Sequence, residues 1–111
     1  MSEDDTEVYE GNVPAPTQSE VRYGTHERHV LDFWQASSDT PTPLAFVIHG
    51  GGWTGGSKER MNRFADCGTL LKAGISVVAI NYRLMRHSGD VVPPVKAPLH
   101  DAARALQFVR S

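Results

Sequence analysis

Two apolar runs, Leu44 to Ile48 and Ile75 to Ile80, constrain this chain more than any other feature. Neither alternates with polar residues, so each suits a strand covered on both faces, as in a parallel sheet packed between helices. Between them the period changes. Met61, Phe64, Ala65, Gly68 and Leu71 fall on one face of a helix that Ser57 can cap, Glu59 complements at its N-terminal dipole, and Gly74 ends. Strand, helix, strand in this order predicts a βαβ unit with a right-handed crossover. Upstream, Val21 to Gly24 and Val30 to Trp34 read as a hairpin. Between Trp34 and the first apolar run, Ala36 to Pro43 is a turn-rich loop. Downstream, Leu84 to Lys96 is a polar connection. Pro98 then opens, at position N1, a second helix with the inner stripe Leu99, Ala102, Ala103, Leu106 and Val109. The pattern stops on this helix, with no strand after it.

The chain has 111 residues, about half of what many one-domain α/β enzymes use. With 40% hydrophobic and 22% charged residues it reads as globular, neither fibrous nor low-complexity. Six of the thirteen acidic residues, Glu3, Asp4, Asp5, Glu7, Glu10 and Glu20, lie in the first twenty positions, where there is no Lys or Arg. Residues 1–20 are therefore expected to form an acidic flexible tail, and 21–111 a partial domain. Eleven basic and seven acidic residues remain in that domain, a net of about +4 that the tail can partly screen. The overall charge of −2 gives no reason to expect nucleic acid or anionic lipid as a partner. No run approaches a membrane span and no secretory signal opens the chain, so a cytoplasmic location is expected. A single cysteine, Cys67, excludes a disulfide framework and a multi-cysteine metal site, and beside Asp66 it reads as a small buried hydrophobe.

The chemistry is concentrated between the first apolar run and the helix, in His49-Gly50-Gly51-Gly52-Trp53-Thr54-Gly55-Gly56-Ser57-Lys58. Gly50, Gly52 and Gly55 satisfy the dinucleotide fingerprint G-x-G-x-x-G. Against it, the acidic residue wanted after the next strand is replaced by Asn81-Tyr82-Arg83, and Trp53 sits where a pyrophosphate should approach. Gly51 and Gly56 are spaced as in a phosphate loop, but Ser57-Lys58 transposes its lysine and hydroxyl. The third reading is an oxyanion hole: consecutive glycines let two backbone N–H groups point at the charge that develops on an ester carbonyl. His-Gly-Gly-Gly after a strand is how lipase- and esterase-type hydrolases build it.

His49 to Trp53, Gly56-Ser57-Lys58, Ile75 to Leu84 and Ala97-Pro98-Leu99-His100-Asp101-Ala102 together resemble, over residues 21 to 111, the N-terminal third of bacterial carboxylesterases. The similarity is to the hormone-sensitive-lipase-like and feruloyl-esterase-like branches of the α/β-hydrolases. The resemblance implies the N-terminal part of an α/β-hydrolase fold, an antiparallel hairpin leading into a parallel β-α-β-α unit, truncated before the nucleophile elbow. It implies Gly51 and Gly52 as oxyanion donors, with Gly50 in the same loop. His49 and Trp53 would shape the loop and the acyl-pocket wall, a small-molecule carboxylic ester would be the substrate, and no cofactor or metal is called for. The serine elbow G-x-S-x-G is missing: Ser57 lies in Gly55-Gly56-Ser57-Lys58-Glu59, so no catalytic residue is assigned and the acid and histidine that come after the serine in this fold are absent too. The chain by itself is expected to be inactive. A half-domain completed by another chain is the rival reading, and self-association or chaperone binding through a bare sheet edge is expected. Asp101 complements its helix dipole or pairs with Arg83. His26-Glu27-Arg28-His29 lacks the i, i+4 histidines of a zinc helix and reads as surface.

Overall fold

The computed structural model describes residues 9, 11–49, 53–63, 65–89 and 92–110. Four strands form one sheet: β1 (Gln18–Arg22), β2 (Val30–Trp34), β3 (Leu44–Ile48) and β4 (Ser76–Ile80), in the spatial order β1-β2-β4-β3. The hairpin β1–β2 is antiparallel, β2 pairs antiparallel with β4, and β3 runs parallel to β4 from Leu44 opposite Ser76 to Ile48 opposite Ile80. The expected mixed sheet with a parallel βαβ unit is therefore the observed one.

All five residues of β4 are buried, which explains its unbroken apolar run. Val77 and Ala79 face one side, with Trp34, Val47, Met61 and Cys67, under helix α1 (Cys67–Lys72). Val78 and Ile80 face the other, with Tyr23, Leu31, Tyr82, Leu84 and Ala105, under helix α2 (Lys96–Arg110). Each buried valine or isoleucine here contributes about 1.5–3 kcal/mol of transfer free energy.

Three expectations are corrected. The helix expected from Ser57 to Gly74 is divided into a 3-10 segment, Lys58–Arg63, and the short α1; Phe64 of its expected face lies outside the described residues. The break has a local cause: the Asn62 side chain accepts the Cys67 N–H at 3.0 Å, which pairs one of the open backbone donors at a new helix start. Helix α2 starts at Lys96, which places Pro98 in the third position of the first turn. Its buried face is Ala97, Pro98, Asp101 and Ala105, with Ala102 and Val109 partly buried, whereas Leu99, Ala103 and Leu106 are exposed. The helix is turned because Asp101, an acid, is drawn inward by partners from elsewhere in the chain.

Part of the stretch expected as a tail is docked. Tyr9 packs edge-on against Trp34, Trp34 Nε1 donates to the Pro14 carbonyl at 2.8 Å, and β1 already begins at Gln18. In β1 the register shifts between Gln18 and Val21, and Glu20 takes φ 53°. This bulge aims the Glu20 N–H at Asp32 Oδ1, 2.7 Å away.

Candidate active site

The two parallel strands end together, at Ile48 and Ile80, and the segments that lead out of them build the candidate site. Ligands in α/β sheets bind outside such carboxyl ends. Gly50, Gly51 and Gly52, the expected oxyanion loop, lie outside the described residues; the residues on either side of them are described. His49 is buried, and its ring stacks on Tyr82 with centroids 4.2 Å apart and planes 8° from parallel. The Tyr82 hydroxyl donates to the His49 carbonyl at 2.8 Å. On the other side of the glycines, Trp53 leans on Tyr82 at 5.2 Å, and its carbonyl accepts the Met85 N–H at 2.9 Å. Trp53 has φ 67°, a left-handed conformation costing a residue with a Cβ about 1–2 kcal/mol. Tyr82 is thus the platform on which both sides of the loop rest, and burial pushes its phenol up to about 12, so it stays a neutral donor.

The platform is fixed from below. Tyr23 donates to the Asn81 carbonyl at 2.5 Å, and the Asn81 side chain accepts the Lys58 N–H at 2.7 Å. Arg28, buried in the β1–β2 turn, donates through Nε to the Tyr82 carbonyl and through Nη2 to the Gly56 carbonyl, both at 2.8 Å.

Arg83 and Asp101 meet in a bidentate pair: Nε to Oδ2 at 2.9 Å and Nη2 to Oδ1 at 3.0 Å, with the Arg83 N–H also on Oδ2 at 2.8 Å. His29 Nε2 lies 3.0 Å from Asp101 Oδ1. Burial opposes the Asp101 charge, but the Arg83 hydrogen bonds and His29 outweigh it and hold the carboxyl below its usual range. The pair ties α2 to the end of β4. His29 is buried, not a surface residue as expected, because Asp101 gives its ring a partner inside.

A second polar cluster was not anticipated. Lys58, 1% exposed, puts its ammonium 2.7 Å from Glu20 Oε1, 3.2 Å from Asp32 Oδ2 and against Glu59. Burial works against that charge, yet the bonds to Glu20 and Glu59 and the charge of Asp32 raise its pKa above the ordinary lysine value. Glu20, Asp32 and Glu59 are close enough to hold a cation, and the ammonium occupies that position itself. One signal was legible: Asp32 is a lone charge inside the apolar strand Val30-Leu31-Asp32-Phe33-Trp34, and a buried charge requires a partner. Ser57 is buried under this loop and Cys67 is buried at the start of α1, its thiol pushed up to about 11 by burial and by Asp66.

The sheet order, the parallel pair with helices on both faces and the loop at its carboxyl end define an α/β-hydrolase fold. Residues 31–111 match the BD-FAE family, and the chain belongs to this family of esterase-like α/β-hydrolases. A comparison with curated protein sequences finds no match. Among solved structures the chain is similar to an inhibited esterase B from Lactobacillus rhamnosis, with 26% identity over 83% of this chain and 29% of that one, at a TM-score of 0.62. A bifunctional GH43-CE protein from Bacteroides eggerthii gives 28% identity over 83% of this chain and 12% of that one, at 0.63. An acetyl ester-xyloside bifunctional hydrolase from Caldicellulosiruptor lactoaceticus gives 32% identity over 73% and 28%, at 0.53. The chain spans less than a third of the length of each of these three structures. Among the described residues no helix is long and apolar enough to cross a membrane.

Proposed function

We propose that this chain carries the oxyanion side of a carboxylic-ester hydrolase site, with the amides of Gly51 and Gly52 as donors, and that residues 1–111 alone do not turn over an ester. The observation that supports the reading is the Tyr82 platform. It holds His49 and Trp53, the two residues flanking the three glycines, at the carboxyl ends of a parallel strand pair. Donors in such a place are worth on the order of 3 kcal/mol each against a developing oxyanion, provided a nucleophile is delivered opposite them. The sequence contains no G-x-S-x-G, and Ser57 is buried in the loop itself. The ester and carbohydrate-ester names borne by the structural relatives suggest a small acylated substrate. The nucleophile segment is then supplied by further polypeptide, and β3, at the open edge of the sheet, is where its strand would pair.

The purified 111-residue chain is expected to show no turnover of short-chain nitrophenyl esters above a heat-treated control, and no labelling by a serine-directed phosphonate. Stoichiometric labelling would overturn the reading, because it would demonstrate an activated serine within these residues.

A further inference from the structure

The turn that joins β1 to β2 is far in sequence from the loop after β3, yet one of its side chains, Arg28, reaches both the platform and the far side of that loop. We propose that Arg28 is the positioning residue that ties the Gly56 side of the loop after β3 to the Tyr82 platform, and that it does so only while the imidazoles of His29 and His87 are neutral.

One guanidinium spans the Tyr82 carbonyl, on the platform under His49 and Trp53, and the Gly56 carbonyl, on the far side of the loop. A planar fork with several fixed donors can bridge two such acceptors; an ammonium is a point donor and cannot reproduce the bridge.

The dependence on neutral imidazoles comes from the hydrogen bonds that shape the turn. The His26 N–H donates to His29 Nδ1 at 3.0 Å, and the Arg28 N–H donates to His26 Nδ1 at 3.0 Å. The Leu84 N–H donates to His87 Nδ1 at 2.9 Å, next to Met85, whose N–H holds the Trp53 carbonyl. His26 stands against both other rings, at centroid distances of 5.6 and 5.0 Å. Each of the three Nδ1 atoms is an acceptor, so each ring carries its proton on Nε2; an imidazolium has no lone pair left at Nδ1. Protonation of His29 and His87 therefore removes two backbone hydrogen bonds, one in the turn that aims Arg28 and the other beside the anchor of Trp53.

The surrounding charges support this. His29 faces Tyr23, His26, Arg83 and Asp101; burial lowers its pKa, Asp101 opposes that, and Arg83 and His26 add to the lowering. His87 is lowered first by burial and then by His26, Arg86 and Arg28, with Glu27 opposing. Folded values below the ordinary 6.5 mean that the neutral rings contribute stability above that pH, and that the contribution is lost as pH falls from about 6.5 toward the lowered values. The ester-hydrolase reading enters only in what the loop does, not in how it is held.

Nitrogen-resolved magnetic resonance on the 15N-labelled 111-residue chain tests both the bridge and the titration. The expected result at neutral pH is an unprotonated Nδ1 in His26, His29 and His87. On acidification the amide signals of His26 and Leu84, which donate to His29 and His87, and the indole of Trp53 should then move together, while the buried Trp34 indole stays in place. In Arg28→Lys the Trp53 signal should already sit at its acid position at neutral pH. In His87→Asn the amide oxygen takes the place of Nδ1 and does not titrate, so the Trp53 transition should move to lower pH. A proton on Nδ1 in these rings, a Trp53 signal indifferent to Arg28→Lys, or joint loss of both indoles at one pH overturns the proposal, the last in favour of global acid unfolding. Ester turnover is not read in this experiment, so its outcome is separate from that of the functional reading.

Discussion

Lys58 shows what a single residue can decide in this fold. Its single ammonium pairs with Glu20 from β1, Asp32 from β2 and its neighbour Glu59, and the Tyr9 hydroxyl donates to Asp32 at 2.5 Å. Desolvating such a group is costly, so the cluster is weak evidence for net stability, but removing one partner leaves a charge stranded in the interior. Lys58→Met is expected to lower the unfolding free energy by about 3–5 kcal/mol in a urea titration, since Asp32 would remain buried without its cation. A loss below about 1 kcal/mol would show that the carboxylates are solvated or protonated in the fold. The same reasoning explains Asp101: on a helix surface it would only complement the dipole, but with Arg83 and His29 around it the acid is the residue that turns α2.

At the scale of elements, the end of α1 and the loop after β3 make separate demands on glycine. Gly74 has φ 82° and closes α1 with the Ile75 N–H on the Leu70 carbonyl and its own N–H on the Leu71 carbonyl, a Schellman pattern. The space around it is open, so Gly74→Ala meets no steric neighbour and its cost is conformational alone. A loss of about 1 kcal/mol is expected in equilibrium unfolding. No loss would mean that α1 ends differently in solution. Gly52 lies outside the described residues, and its role is read from the motif. In a form of the protein that includes a nucleophile segment, Gly52→Val should lower kcat by about 10²-fold or more with KM little changed, because amides used in the transition state are displaced. An unchanged kcat would remove Gly52 from the hole.

At the scale of the molecule, one edge and one helix face stand open. β3 pairs with β4 on one side and with no described strand on the other, and Leu44 and Ile48 are 38% and 39% exposed. Leu99 and Leu106, seven residues apart on one face of α2, are exposed by 46% and 39%. An apolar edge strand with no Lys or Pro in it is a template for another strand, and exposed leucines on an adjoining helix add an apolar patch. We expect the 111-residue chain to associate, either with itself or with a polypeptide that adds a parallel strand. Sedimentation over micromolar concentrations should show a weight-average mass rising with concentration. A monodisperse monomer with a sharp thermal transition would show instead that the four strands suffice as a fold.

Much of the architecture was legible from period and composition because β4 is covered on both faces, and that condition writes itself into a sequence as an unbroken apolar run; β3 carries the same run although it lies at the edge, with Leu44 and Ile48 exposed. The hairpin, the parallel pair and the turn residue Gly74 come from the same local rules. The glycine loop was singled out because a run of glycines between an apolar strand and a turn of helix has few uses; its three glycines lie outside the described residues. The division of the helix after Ser57 lay in Asn62, whose side-chain oxygen takes the Cys67 N–H, a local competition that hydrophobic period does not register. The rotation of α2 was hidden more deeply. Leu99, Ala103 and Leu106 make a better apolar stripe than Ala97, Asp101 and Ala105 until Arg83 and His29, supplied from distant positions, turn a charge into a core residue. Local pattern therefore determined which segments are strands. Which charges are buried, and hence which way the helix faces and what holds the loop, was decided by partners that come together only when the sheet closes, because a charge enters the interior only where its counter-charge is already held in place.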